Sequence, residues 1–385
     1  MRIEVSRLFI LLSLVLLSLH WVGCSDEPTS VGLGLLTSQE LVRVDTTTIA
    51  AASGTTFRKR VSTGSSGILL VGKFLGYEAR SLLSFPSIPD TLKSATVLSA
   101  NLVLKPAYRF GPTENVLSFS VYKMITGWTE AGVRWDSVGT ASYEPTKRGE
   151  FAKAIADSDS VSVTLDPNLV SGWFQAAGAE PIYGVVLVPT NESNTIVGFN
   201  SFQSTQTSKI PYLIVKYSKG GTESTISFSA GQDAFVANID NLASDPSLIY
   251  VQAGVAYRSI VKLDFSTIPQ HVGIHQATLE LTLKRSPSPP LNSHLVDSLF
   301  TRFYVSQDST DNSLLLIGRR LEPNSGVYSF TITPYVQRWI NGRANFGLEL
   351  NAWTEISSLD LFTFYSASAD ASLRPRLKVT YSRQL

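Results

Sequence analysis

The chain reads as all-β, organised as two tandem antiparallel β-sandwich domains of jelly-roll-like form that follow a signal peptide and a flexible stalk. Three observations predict this. The first is strict alternation: Leu98, Ala100, Leu102 and Leu104 fall on one strand face, and Val161, Val163 and Leu165 do so with Ser162 and Thr164 opposite. Leu279, Leu281 and Leu283 repeat the pattern against Thr278, Glu280, Thr282 and Lys284. A period of two places one side of each strand in a core and the other in water. The second is punctuation: Gly, Pro, Asn and Asp interrupt the strands at short intervals, and long stretches with helical period are missing. The third is an internal repeat. With 385 residues, 43% of them hydrophobic, the chain has material for two cores.

The repeat runs through five landmarks in the same order. Arg80-Ser81, Phe85 and Ile88-Pro89 answer Arg258-Ser259, Phe265 and Ile268-Pro269, and the strand Ala100-Asn101-Leu102-Val103-Leu104 answers Ala277-Thr278-Leu279-Glu280-Leu281. Thr164-Leu165-Asp166-Pro167 with Trp173 precedes Gly184-Val185-Val186-Leu187, as Thr331-Ile332-Thr333-Pro334 with Trp339 precedes Gly347-Leu348-Glu349-Leu350. Pro211-Tyr212-Leu213-Ile214-Val215-Lys216-Tyr217 and Pro375-Arg376-Leu377-Lys378-Val379-Thr380-Tyr381 close the two copies. The expected organisation is a first domain over 46–218, a linker over 219–222 at Lys219-Gly220-Gly221, and a second domain over 223–385. The second copy departs at one place. Where the first reads Trp128-Thr129-Glu130-Ala131-Gly132-Val133-Arg134-Trp135-Asp136, the second has Ser306-Gln307-Asp308-Ser309-Thr310-Asp311-Asn312, with no counterpart of either Trp.

These residues carry a resemblance. The Arg-Ser-Leu-Leu strand, the Ile-Pro before an Ala-x-Leu-x-Leu strand, the Trp128 to Asp136 segment, the Pro and Trp turn and the closing Pro-x-Leu-x-Val-x-Tyr strand together resemble the DNRLRE domain. The resemblance covers nearly all of 46–218 and, more loosely, 223–382. It implies a secreted bacterial β-sandwich module, of a kind grouped in part with carbohydrate-binding modules that recognise alginate.

The N-terminus supplies an address. A basic head, Met1 to Arg7, leads into the apolar run Leu8 to Val22, which is shorter than the roughly 20 residues a spanning helix needs. The run ends in Trp21-Val22-Gly23-Cys24, which resembles the lipobox of a bacterial lipoprotein signal peptide, so residues 1–23 are expected to be removed and Cys24 to be lipidated. An ordinary signal peptide or an uncleaved anchor with an incidental cysteine is the alternative. Ser25-Asp26-Glu27-Pro28 looks like the tether of a surface lipoprotein, and 24–45 reads as a flexible stalk. The expected location is therefore the outer membrane, lipid-anchored, on its periplasmic or extracellular face.

Charge excludes one class of partner. Of 32 basic and 31 acidic residues, the signal segment holds Arg2, Arg7 and Glu4, so the remainder is neutral and carries no bulk field for nucleic acid. Cys24 is the only cysteine, so neither a disulfide framework nor a cysteine metal site is expected. His271 and His275 stand four apart as helical zinc ligands do, but Pro269 and Gly273 oppose a helix there, and His294 lies farther on, so no metal or cofactor is expected. Asp157 with Asp159, and Asp308 with Asp311, are paired acids of the sort a glycosidase uses, yet close acids in polar loops are ordinarily just solvated.

Binding is better motivated. Aromatic rings stack on the apolar faces of sugars, and Arg beside them holds hydroxyls or carboxylates. Arg80, Arg109, Trp128, Arg134 and Trp135 are the candidates in the first copy, and Arg258 and Arg338 in the second. Trp128, like Trp173, also fits a place in the core. The leading expectation is a non-catalytic surface lipoprotein that binds or displays, with an extracellular polysaccharide such as a uronate polymer as its partner. A structural envelope protein packed on an outer-membrane protein is the alternative, and a polysaccharide-degrading enzyme the third.

Overall fold

Antiparallel pairing runs through both sheets of the computed structural model, in keeping with the alternation. The structure describes residues 42–59, 61–239, 242, 245–284, 298–322 and 325–384. The signal segment, Cys24, most of the stalk and His294 lie outside the described residues.

Strand β1 spans Val42–Arg58. The first copy then contributes β2 (Ile68–Phe74), β3 (Tyr77–Ser84), β4 (Thr96–Leu104), β5 (Pro106–Phe110), β6 (Leu117–Met124), β7 (Tyr143–Lys153), β8 (Val161–Leu165), helix α1 (Pro167–Ala176), β9 (Val185–Pro189), β10 (Ile196–Asn200) and β11 (Tyr212–Lys219). Next come β12 (Thr222–Ser229) and β13 (Gln232–Ile239). The second copy continues with β14 (Leu248–Gln252), β15 (Tyr257–Leu263), β16 (Gly273–Thr282), β17 (Ser298–Tyr304), β18 (Thr310–Arg320), β19 (Val327–Thr331), helix α2 (Thr333–Ile340), β20 (Leu348–Ala352), β21 (Leu361–Tyr365) and β22 (Arg376–Gln384).

The strands form two sheets. One runs β12-β11-β4-β8-β7-β6-β9-β3-β2-β10-β5, with β13 on β3, and it curls around the core of Leu102, Phe119, Val163, Phe174 and Val215. The other runs β1-β22-β16-β19-β18-β17-β20-β15-β14-β21, and β1 pairs with β15 as well as β22, which closes eight strands into a barrel around Tyr328, Phe330, Tyr335 and Leu350.

The repeat is physical. Ser81 and Leu83 pair with Leu187 and Val185, and Ser259 and Val261 pair with Leu350 and Leu348, so the Arg-Ser landmark sits in one register in both copies. Each landmark serine donates to a carbonyl on the neighbouring strand, Ser81 Oγ to Leu70 O and Ser259 Oγ to Tyr250 O, both at 2.7 Å. Gly184 and Gly347 enter the paired strands with positive φ, and a side chain at either would meet the carbonyl oxygen of Leu83 or Val261.

The expected linker is a turn. Lys219 pairs with Thr222 across Gly220 and Gly221, whose φ of 58° and 82° suit a tight two-residue hairpin, and β12 continues the first sheet beside β11. The strand that opens the second copy therefore belongs to the first sheet, while β1, which opens the first copy, belongs to the barrel of the second. The two positions match: β1 sets Gly54 opposite Val261 and β13 sets Asp233 opposite Leu83. Each opening strand also leaves one edge for another. β1 does so through a bulge between Ala51 and Ser53, and β12–β13 through a break at Ala230-Gly231. Thr46–Tyr381 accordingly form one compact unit, and a cluster of Leu70, Tyr77, Phe110, Phe235, Val255 and Leu359 joins the copies. Gln252 Nε2 donates to Tyr77 Oη at 2.7 Å across this junction.

Two further expectations need correction. Leu98 is 40% exposed while Ala100, Leu102 and Leu104 are buried, because the β4–β11 register shifts between Ser99 and Val97 and turns Val97 inward instead. The Pro and Trp landmark, read as a turn, is a short helix in both copies: Pro167 sits in the first turn of α1 and Pro334 in that of α2. Asp166 caps α1 by accepting from Asn168 N at 2.9 Å, and Trp173 and Trp339 are buried against Phe85 and Phe265.

Candidate functional site

The outer face of the first sheet is apolar over β13, β3, β9 and β6, where Leu82, Met124, Val186, Ala234 and Val236 would otherwise meet water. The long connection between β6 and β7, residues 125–142, folds over it. Val133 and Val138, 4% and 1% exposed, press into this face, and Trp128 and Trp135 flank them half-buried.

The loop is held from within and from below. Gly132 N and Val133 N donate to Thr129 O, Ser137 N donates to Arg134 O, and Arg134 N donates to Ser137 Oγ. Trp128 Nε1 donates to Tyr183 O at 2.9 Å, and Glu130 Oε1 accepts from Asp233 N at 3.0 Å. Arg80 Nη1 reaches up to Val138 O at 2.7 Å while its Nε donates to Glu78, and the guanidinium lies 4.5 Å from the centre of the Trp135 ring. Arg134 Nη1 donates to Ala131 O and Val133 O, which sets its side chain alongside its own loop.

Two depressions border the loop. A cleft of about 460 Å³ runs over Met124, Trp128, Val133 and Val138 with Thr126, Thr129 and Ser137 among its lining residues, within the usual volume of small-ligand sites. On the other side Arg58, Arg134, Trp135 and Asp136 border a crevice of about 30 Å³. That is room for a single water, so a larger ligand would lie across it.

The structure thus brings Arg80, Trp128, Arg134 and Trp135 to one face. Arg109 is elsewhere. Its mostly buried guanidinium donates to Asp157 Oδ1 at 2.8 Å and to Ile155 O at 2.6 Å, tying β5 to the β7–β8 connection. Arg258 is buried on the outer face of its sheet, donating to both oxygens of Glu355 at 2.6 and 2.7 Å and to Glu349 Oε1 at 2.8 Å. Arg338 on α2 pairs with Asp311 at 2.7 Å, beside Phe303, in a cleft of about 330 Å³ that Val305 and Arg343 also line. The Ser313 hydrogen bonds and the Arg338 guanidinium pull the Asp311 carboxyl down to about 2.

Sequence reading missed Arg58, Glu130 and Asp233. Asp233 is 1% exposed, and burial pushes its carboxyl up to about 7, with Phe202 N opposing the rise and Glu130 adding to it. Its one signal is an acid inside the apolar run Ala234-Phe235-Val236-Ala237.

Three of the four paired acids are engaged: Asp157 with Arg109, Asp159 with Ala156 N and Asp311 with Arg338. His275 lies on β16, and among the described residues no group of three or more His, Cys, Asp or Glu is placed to hold a metal ion. No family model matches the chain, and no curated protein matches it.

Proposed function

We propose that this is a non-catalytic, lipid-anchored protein of the outer membrane or cell surface, held through Cys24, whose paired β-sandwich-like domains bind an extracellular polysaccharide. The reading keeps the likeness to DNRLRE modules that the repeat suggested. One observation carries the binding part: Trp135 and Arg80 meet at 4.5 Å on a loop fixed by its own backbone bonds and by Val138 O. A half-buried ring backed by a cation, with Arg58 and Arg134 alongside, offers a sugar an apolar face and a uronate carboxylate a donor. Because the loop is already ordered by these contacts, little entropy is lost on binding.

Affinity electrophoresis of the mature protein through gels containing alginate, polygalacturonate or a neutral glucan tests this. Retardation by an acidic polymer that Trp135→Ala weakens is expected; equal mobility in every gel counts against the reading. Mass spectrometry of the membrane fraction should find acyl chains on Cys24, and an unmodified thiol there would remove the anchor.

A further inference from the structure

Between β17 and β18 the second copy has no counterpart of loop 125–142, and among the described residues the equivalent face of its barrel is exposed over Leu315, Ile317 and Trp353 while Arg258, Glu349 and Asn351 beside them are buried. After β17 the chain turns at once, Val305 N donating to Ser309 O. Outward from β20, β17 and β18 stand Glu349 and Asn351, then Phe300, Arg302 and Tyr304, then Leu315, Ile317 and Arg319; Phe300 lies opposite Asn351 and Ile317, and Arg302 opposite Glu349 and Leu315. Trp353 follows β20, its backbone N bonded to Ser298 O, and is 49% exposed.

We infer that this face is a second saccharide site, taking one acidic sugar residue of a polysaccharide with its ring on Trp353 and its carboxylate on Arg302. Trp353 stands edge-on to Phe300, at 85° and 6.3 Å between centres, which leaves a ring face of Trp353 unstacked by Phe300. The Arg302 guanidinium lies 4.8 Å from the Phe300 centre and is steadied from below by Glu349 Oε1 at 3.4 Å.

Two features choose the occupant. Protein-docking surfaces are apolar at the centre and polar at the rim. Here a charge stands at the middle: Arg302, beside Phe300 on β17, is part-exposed over a buried Arg258, Glu349, Glu355 and Tyr304 network, and Trp353, Leu315 and Ile317 form the border. The charges also divide by depth. The carboxylates are buried, with Glu349 and Glu355 side chains 3% and 11% exposed, whereas Arg302 is 19% exposed and Arg319 is exposed, so the face shows positive charge to solvent. An anionic, hydroxyl-rich ring complements both.

The inference rests on the polysaccharide reading, and the test separates the two sites. Titration calorimetry of the mature chain with oligogalacturonate, and with a neutral cello-oligosaccharide as control, should give two acidic-sugar sites. Trp353→Ala and Arg302→Gln should each remove one or weaken it about tenfold or more. Trp135→Ala should remove the other. Trp353 is half exposed, and an unchanged melting curve for Trp353→Ala checks that the fold survives. Unchanged stoichiometry and affinity in Trp353→Ala, or equal affinity for the neutral oligomer, would overturn the second site while leaving the first. Loss of all binding in Trp353→Ala with none in Trp135→Ala would do the reverse, and a wild-type chain that binds neither oligomer overturns both.

Discussion

The two copies share a register but cover the same face in opposite ways. Tyr122 lies opposite Val186 in the first, and Arg302 lies opposite Glu349 at the matching place in the second. The first copy keeps the face apolar and lays Val133 and Val138 over it; the second makes the face of ion pairs and, among the described residues, lays no such loop between β17 and β18 over it. Arg80 and Arg258, the same landmark residue, follow their surroundings: one rises to a loop carbonyl and a Trp ring, the other folds into two carboxylates. A sheet face that loses its cover must become polar or aggregate, and a network in which every charge has a partner is one solution.

The ion-pair network offers the largest test. Glu349 accepts from Arg258, Arg302 and Tyr304, and Arg258 donates to Glu349 and Glu355. Arg258→Ala should cost about 3–5 kcal/mol in urea unfolding, since it strands the buried Glu355 carboxylate and takes from Glu349 the nearer of its two cations, whereas replacing Arg258, Glu349 and Glu355 together with apolar residues of similar size should come close to neutral.

The first copy answers differently, through pH. Asp233 is raised from 3.8 to about 7 by burial, so the folded state holds a proton that the unfolded state releases. Stability should therefore fall as pH rises from about 4 to 7, at up to about 1.4 kcal/mol per unit, and level off above. In Asp233→Asn that slope should disappear relative to wild type, as chemical unfolding at a series of pH values would show.

Smaller effects distinguish the loop's plug from its rim. Val138→Ala should cost about 1–3 kcal/mol through lost burial. Trp128→Phe should cost about 1 kcal/mol for the hydrogen bond to Tyr183 O, and Arg80→Lys less than about 1 kcal/mol for the contact with Trp135. A Val138→Ala variant as stable as wild type would show that the loop lies on the face without being packed into it.

Much of this was legible in the sequence. Alternation named the faces of β8 and β16, and the Arg-Ser, Gly and Pro landmarks named matching registers, because a one-residue slip would have turned each buried set outward. The bulge at Ser99, which exposes Leu98, left no mark in the alternation. Nor did the exchange of opening strands: Lys219-Gly220-Gly221 reads equally as a linker or a hairpin turn, and only the partner of Thr222 decides. At the site, the Trp128 to Trp135 segment was visible as a run without a counterpart. Arg58 arrives from a strand that belongs to the barrel of the second copy, which no local spacing could show, and Trp353 gained its meaning only from its exposure beside Phe300.

The exchange of opening strands underlies the whole comparison, because it makes two diverged copies one folding unit. Differential scanning calorimetry of residues 42–384 tests it most directly. A single cooperative transition, with the calorimetric and van't Hoff enthalpies in agreement, is the predicted result. Two separated transitions, one moved by Val138→Ala alone and the other by Arg258→Ala alone, would contradict it.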